Sequence, residues 1–269
     1  MRRFLFALCL VATPALGQNA SLEECANPAQ EASDTIRFCQ QALQDRQLLP
    51  NTRARVLTNL GVGLAEMGRH SEAILNFALA RSTDPDLIVA YIYRARSNEA
   101  LGRPEEALAD FAAALAVAPN DGEVWAARGA LLLRQRRLPE AEQDLTQALT
   151  LDQTNLSARY NRGLARLSAG DAAGAEEDFD QLLSNRPDDI GAIVNRGQAR
   201  AVLQKDTALA DFDRAVALAP DWGPAYYTRG RYYDQAGRKE AADADYLRAH
   251  ELGVSNPFLI ERVRQLSEN

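Results

Sequence analysis

A pattern of small, apolar and turn-forming residues recurs along most of the chain at a nearly constant spacing of about 34 residues. It is clearest at 88–119, where apolar and small residues fall at helical intervals on both sides of a break at Gly102 and Pro104. Each copy therefore predicts two helices joined by a tight turn. Such copies are expected to stack as an array of hairpins and not to form a globule.

Six copies align on this spacing, and the fifth is one residue short near Gln204. They cover residues 54–87, 88–121, 122–155, 156–189, 190–222 and 223–256. Position eight of every copy is glycine or alanine, and the second half carries a small residue, an aromatic residue or leucine, and another small residue. A residue without bulk at position eight lets antiparallel helices approach closely, and the aromatic ring fills the space between them.

This pattern resembles the tetratricopeptide repeat, in motifs such as Ala107-Phe111-Ala114 and in the closing prolines at 85, 119, 187 and 220. The copies depart from it at Gln153, Arg166, Leu182 and Arg200, which bears on local packing only. The resemblance implies an all-α fold, a right-handed α-α superhelix (solenoid) of about six helix hairpins with a capping helix at each end. It also implies a protein that binds other proteins or peptides in a concave groove lined by the first helix of each hairpin.

The first 17 residues predict a signal peptide, because Arg2 and Arg3 precede an apolar run at 4–12 and small residues end at Gly17. The run is about half of the ~20 residues that span a bilayer, which favours cleavage over a retained anchor. We therefore expect a periplasmic or secreted protein without membrane insertion after cleavage. Lysine occurs only at 205 and 239, which together with the leader favours a Gram-negative bacterium with a GC-rich genome.

Two cysteines, Cys25 and Cys39, remain outside the leader and predict a disulfide in an oxidising compartment. The alternative is a pair of free buried thiols. The bond would tie the N-terminal segment 18–53 to a helix expected from about Ser33 to Gln47, with Cys25 in the preceding loop. This segment and a final helix, Phe258 to Ser267 within 257–269, are expected to cap the array, because each repeat leaves an apolar face uncovered. No linker separates the copies, which predicts one elongated domain.

The net charge of −7 would become −9 on loss of the two leader arginines, and such an acidic protein does not attract nucleic acid or anionic lipid. No phosphate-binding glycine loop, metal-ligand spacing or nucleophile beside a histidine is recognisable. His70 and His250 lie in separate repeats. The sequence therefore predicts no catalytic, cofactor-binding or metal-binding site, and a protein that is not an enzyme.

Arginine stands at position seven of five copies, and each of these copies also has an aspartate before its aromatic or leucine position. The pairs are Arg94 with Asp110, Arg128 with Asp144, Arg162 with Asp178, Arg196 with Asp211 and Arg229 with Asp245. A basic ligand-binding stripe is one interpretation. The first copy lacks both charges, with Leu60 and Asn76 instead, so a structural ladder of Arg–Asp pairs within hairpins is preferred.

The partner-binding groove is predicted from positions two, five, nine and twelve, which share one helix face. Its candidate residues are Ile92, Arg96, Leu133, Tyr160, Leu164, Leu167, Val194, Gln198, Tyr227 and Arg231. The middle of the row is apolar, which favours an apolar or amphipathic segment as the partner, with Tyr160, Tyr227 and Arg231 as anchors. The alternative is that the row packs as core against neighbouring first helices or the C-terminal helix.

These features predict a periplasmic scaffold or adaptor that binds a protein or peptide. Two alternatives remain open. One is an assembly factor or chaperone for an envelope machine, in secretion, pilus or cytochrome biogenesis. The other is a structural repeat protein that associates with itself.

Overall fold

The computed structural model describes residues 20–268, so the predicted signal peptide lies outside the described range. These residues form fifteen α-helices and no β-strand. The helices are α1 Ala20–Cys25, α2 Ala32–Ala42, α3 Pro50–Glu66, α4 His70–Thr83, α5 Ile88–Ala100, α6 Pro104–Val117, α7 Gly122–Arg134, α8 Leu138–Leu151, α9 Leu156–Ala169, α10 Ala172–Asn185, α11 Ile190–Val202, α12 Ala208–Leu218, α13 Gly223–Gln235, α14 Lys239–Glu251 and α15 Pro257–Ser267.

The contacts group this part of the chain into two compact units, divided inside α7 between Leu131 and Leu132. In unit 1, α3 packs on α4 and α5 on α6; in unit 2, α9 packs on α10, α11 on α12 and α13 on α14. Successive hairpins within a unit also stack, as α4 does on α5 and α10 on α11. The all-α fold of stacked helix hairpins is therefore confirmed.

In four hairpins an aromatic ring of the second helix faces a glycine of the first. In α9 a β-carbon added to Gly163 would lie 2.8 Å from Cζ of Phe179, and one added to Gly61 in α3 would lie 2.5 Å from Cε1 of Phe77. Phe77 and Phe179 are fully buried. The predicted role of position eight is confirmed, because the ring occupies the space that a side chain would need.

Four of the five predicted Arg–Asp pairs lie within a single unit, and all four form. Arg162 donates from Nε and Nη2 to the two carboxylate oxygens of Asp178, at 3.0 and 2.6 Å. The equivalent pairs are Arg94 with Asp110, Arg196 with Asp211 and Arg229 with Asp245. The aspartates are buried, with Asp178 0% exposed. The hydrogen bond from Arg229 to Asp245 raises the pKa of the guanidinium, although burial opposes it.

Two arginines that depart from the repeat pattern extend this ladder in unit 2. Arg166 donates to Asp178 at 3.0 Å and to Glu142 of the preceding hairpin at 2.7 Å. Arg200 contacts Asp211 and Glu176 in the same way, both at 2.9 Å. An arginine at the usual aromatic position thus replaces apolar packing by ion pairs that join neighbouring hairpins.

The N-terminal cap differs in detail from the prediction. Cys25 and Cys39 form the expected disulfide, with Cα atoms 4.7 Å apart, and both are buried. Cys25, however, ends the short helix α1 and does not lie in a loop. Helix α2 ends at Ala42 and does not continue to Gln47, because residues after Leu43 turn towards α3, which Pro50 begins.

The C-terminal helix α15 packs on α14 as predicted. It begins at Pro257, where the Asn256 side chain accepts a hydrogen bond from the Leu259 amide at 3.0 Å. Leu259 is fully buried against the last hairpin, whereas Phe258 remains 48% exposed although its ring meets Tyr246 at 5.4 Å. Leu259 therefore provides most of the cover.

Candidate functional site

The predicted groove residues lie on the first helix of each hairpin, and those of unit 2 form what we call the first-helix row. Its members are Leu133 on α7, Tyr160, Leu164 and Leu167 on α9, Val194 and Gln198 on α11, and Tyr227 and Arg231 on α13. Ile92 and Arg96 lie on α5 in unit 1 and are described separately.

The apolar members of this row contribute to the core of unit 2. Val194 is 5% exposed and belongs to the core cluster, so a partner cannot contact it directly. Leu164 and Leu167 are partly buried against the same cluster. The alternative that these residues pack as core therefore holds for Val194 and in part for the two leucines.

Tyr160 joins two first helices instead of projecting freely. Its hydroxyl accepts a hydrogen bond from Nδ2 of Asn195 on α11 at 2.9 Å, and its ring meets Phe179 edge-on at 5.8 Å. Burial raises the pKa of this hydroxyl, and the nearby Asp189 carboxylate adds to the rise. A Tyr160→Ala variant would thus disturb the scaffold as well as any partner contact.

Tyr227 belongs to an aromatic cluster in the last hairpin. Its ring lies 6.1 Å from that of Tyr246, which is buried. Burial raises the pKa of Tyr246 to about 12, with Asp234 contributing in the same direction. Tyr227 is half-buried, so only part of its ring faces solvent.

The accessible polar members are Gln198, which is partly exposed, and Arg231, which is exposed. Neither side chain forms an ion pair or hydrogen bond within residues 20–268. Leu133 is partly exposed near the end of α7. Solvent therefore reaches Leu133 and the unpaired side chains of Gln198 and Arg231.

In unit 1, Arg96 is exposed and its guanidinium lies 5.5 Å from the centroid of the Tyr93 ring. That ring stacks on Phe77 at 6.0 Å, and burial raises the pKa of the Tyr93 hydroxyl. Ile92 is partly buried in the core of this unit. The sequence pattern singled out Arg96 but not Tyr93, whose stacking depends on the neighbouring hairpin.

No group of three or more His, Cys, Asp or Glu residues in the described chain is placed to hold a metal ion. Within the same residues, no helix combines the length and apolar character needed to cross a bilayer. The first-helix row itself offers apolar contact, hydrogen bonding and charge.

Comparison with known proteins agrees with this arrangement. Sequence profiles described as tetratricopeptide repeat match residues 94–155, 143–190 and 223–252. No curated protein matches the chain significantly.

Solved structures with the same fold span most of the chain. A tetratricopeptide repeat protein from Parabacteroides merdae is 24% identical with a TM-score of 0.66, covering 93% of this chain and 100% of its own. PilW, a type IV pilus biogenesis factor, is 19% identical with a TM-score of 0.69, covering 79% of this chain and 99% of its own. YrrB, a protein with an unusual peptide-binding site, is 21% identical with a TM-score of 0.60, covering 70% of this chain and 95% of its own.

The profile matches fall on copies that the spacing had already defined, and the solved structures share their stacked hairpins. Proteins built in this way generally act as non-enzymatic interaction scaffolds. Residues 94–190 and 223–252 of this chain match tetratricopeptide repeat models, and its hairpins have the fold of solved tetratricopeptide repeat structures.

Proposed function

We propose that this protein is a scaffold that binds an apolar or amphipathic segment of a protein or peptide across the first-helix row. The observation that carries the proposal is the combination of an apolar base, Leu164 and Leu167, with the unpaired polar side chains of Gln198 and Arg231. Covering partly exposed apolar side chains with a partner stabilises the complex. Unpaired polar groups then fix the position of the partner along the row.

The proposed partner segment is amphipathic because the row itself is mixed. A helix or an extended peptide could lay apolar side chains over the leucines and place a carboxylate or carbonyl near Arg231. Arginine and tyrosine are enriched among residues that dominate binding energy, which fits Arg231 and the exposed part of Tyr227.

The proposed location is the periplasm or the exterior of a Gram-negative cell. This part of the proposal rests on the leader pattern at 1–17 and on the two cysteines, because disulfides persist in oxidising compartments. The buried Cys25–Cys39 bond supports it.

A second candidate is an assembly factor for an envelope machine. It is favoured by the similarity in fold to PilW, a type IV pilus biogenesis factor. A chaperone for secretion or cytochrome biogenesis and a self-associating structural protein are further outcomes that one experiment can separate.

The test compares two double variants of the mature protein as bait in a periplasmic extract. Gln198→Ala with Arg231→Ala removes the accessible polar part of the row. Gln143→Ala with Arg186→Ala removes the same residue types from exposed positions of unit 2 outside the row. Thermal unfolding of both variants should match that of the natural chain, because all four side chains are unpaired in the described chain.

A dominant partner that is recovered and then bound at least about tenfold more weakly by the row variant, but not by the control, would support the scaffold. Equal binding by both variants would overturn it. Recovery of many unfolded clients would favour a chaperone, and light scattering that shows only self-association would favour a structural role.

A further inference from the structure

The second helices of unit 1 carry an exposed apolar surface that the proposed function does not use. On α4 it consists of Leu75 and Leu79, which are 65% and 55% exposed and lie about one turn apart. On α6 the exposed residues after the first turn are three alanines and a valine, Ala109, Ala112, Ala116 and Val117. We call these six residues the α4–α6 patch.

The patch carries no charge. Beyond their first turns, α4 and α6, which the structure describes in full, have only two charged side chains, Arg81 and Asp110, and these pair with each other at 3.5 Å. The nearby hydroxyl of Ser82 donates to a backbone oxygen of α4 at 2.8 Å. In α10 of unit 2, by contrast, Glu177 and Gln181 are exposed at the positions equivalent to the two leucines. The patch is therefore a property of unit 1 and not a requirement of the hairpin fold.

The leucines and the alanines lie side by side on neighbouring helices. α4 and α6 both pack on α5, and the ion pair between Arg81 and Asp110 joins them directly. Leu75 and Ala109 occupy the same position of successive repeat copies, so they face the same side of unit 1. The protruding leucines of α4 thus form a ridge beside the shallow groove that the alanines leave on α6.

We propose that the α4–α6 patch is the contact between two copies of this protein, related by a two-fold axis that passes between the two helices. Such an axis places α4 of each copy on α6 of the other, so each leucine ridge fills an alanine groove. A two-fold contact requires a surface that is complementary to itself. A ridge and a groove of similar length, side by side on one copy, meet this requirement.

The charge of the chain also favours this surface for contact between copies. The chain has 37 Asp and Glu residues against 30 Lys and Arg, so two copies repel each other where charged surfaces meet. A charged residue near a two-fold axis would in addition face its own like charge. The neutral patch avoids both effects, and Glu72, Glu105 and Glu106 lie at its edge in the first turns of the helices.

The area of the patch determines how strong the contact can be. Each of the two helices has 14 residues and is about 21 Å long. With the helices about 10 Å apart, the footprint is about 400 Å² per copy. This is about half of the ~800 Å² per partner that is typical of stable interfaces. We therefore expect a reversible dimer that forms at high protein concentration.

Sedimentation equilibrium of the mature protein over a range of concentrations tests the proposal, and the natural chain should dimerise reversibly. An α4 variant, Leu75→Glu with Leu79→Glu, and an α6 variant, Ala109→Lys with Ala112→Lys, should each raise the dissociation constant at least about tenfold. All four side chains are exposed, so circular dichroism and thermal unfolding of both variants should match those of the natural chain.

A mixture of the two variants tests the pairing of ridge with groove. The glutamates on α4 of one variant then face the lysines on α6 of the other, so a heterodimer should form although neither variant dimerises alone. A contact of α4 with α4 would instead leave the α6 variant dimeric. That result, or a mixture that stays monomeric, would overturn the proposed arrangement.

The matched control is Val202→Glu with Leu247→Glu, which places the same charges on two exposed apolar residues of unit 2. This control should dimerise like the natural chain. A natural chain that remains monomeric up to about 1 mM, or a control that loses dimerisation to the same extent, would contradict the proposal.

The contact lies in unit 1 and leaves the first-helix row of unit 2 unchanged, so it goes beyond the proposed function. The row variant Gln198→Ala with Arg231→Ala should dimerise normally, and the α4 variant should still bind the partner of the row. Failure of one proposal is therefore distinguishable from failure of the other.

Discussion

The α3–α4 hairpin of unit 1 and the α9–α10 hairpin of unit 2 have the same closing contact but different surroundings. In both, a phenylalanine faces a glycine, Phe77 with Gly61 and Phe179 with Gly163. At the ladder positions the first hairpin has Leu60, which is buried, and Asn76, whereas the second has Arg162 and Asp178.

Position eleven differs in the same way, with buried Leu64 in α3 and Arg166 in α9. Leucines at positions seven and eleven of the first helix thus occur without an aspartate in the second helix, whereas arginines at these positions occur with one. The comparison shows that the ring and glycine define the hairpin, while the flanking positions can be apolar or ionic if they change together. A mismatch would leave a charge without its partner, which is the costly arrangement.

The largest expected effect comes from breaking that match in the ionic hairpin. Asp178→Ala removes the buried carboxylate that accepts three hydrogen bonds from Arg162 and Arg166. We expect a loss of about 3–5 kcal/mol in the free energy of unfolding, because two partly buried guanidinium groups lose the carboxylate that they share. Urea denaturation followed by circular dichroism measures it.

The matched control is Asn76→Ala at the equivalent position of α4. Its side chain donates only to the Glu72 backbone oxygen, so we expect a loss below about 1 kcal/mol. Similar losses for the two variants would show that the ion pair is not what distinguishes the hairpins.

Loss of the disulfide is expected to have the next largest effect on stability, and to affect only unit 1. Cys39→Ser opens the cross-link between Cys25 and Cys39, which closes a loop with a sequence separation of 14. The entropy model gives about 3 kcal/mol for a loop of this size. Hydrogen exchange should show faster exchange in α1, α2 and the adjoining face of α3, with unit 2 unchanged. Protection lost equally in both units would contradict this.

The shared contact predicts equal effects in the two hairpins. Gly61→Leu and Gly163→Leu should each cost about 1–3 kcal/mol, because the added side chain overlaps the buried ring. Thermal melts measure both. Ser168→Leu, at an exposed position of α9, is the control and should have little effect. A melt unchanged by Gly163→Leu would mean that the ring does not require a small residue there.

The smallest expected effect is a gain in stability. The turn after the first helix has glycine with positive φ at 68, 102, 170 and 237, whereas Gln204 adopts φ 56° and Arg136 φ 60°. Gln204→Gly should stabilise the protein by about 1 kcal/mol, because a side chain is strained in this left-handed region. Gly170→Gln should destabilise it by a similar amount. Urea titrations showing the reverse order would contradict this explanation.

The order of the hairpins, the role of position eight and the pairing of arginine with aspartate all follow from the repeated spacing. The spacing is sufficient because the contacts it concerns, such as Gly163 with Phe179 and Arg162 with Asp178, recur within one hairpin. The pairing of Cys25 with Cys39 could likewise be inferred, since only these two cysteines lie outside the predicted signal peptide.

Accessibility was decided by tertiary structure. The same spacing that selected Arg231 also selected Val194, which is buried, and Tyr160, whose hydroxyl bonds to Asn195 of the next first helix. Arg166 looked like a packing defect in the sequence, yet it joins two hairpins through Glu142 and Asp178. Periodicity fixes which face of a helix a residue occupies, but the neighbouring helix determines whether that face is covered.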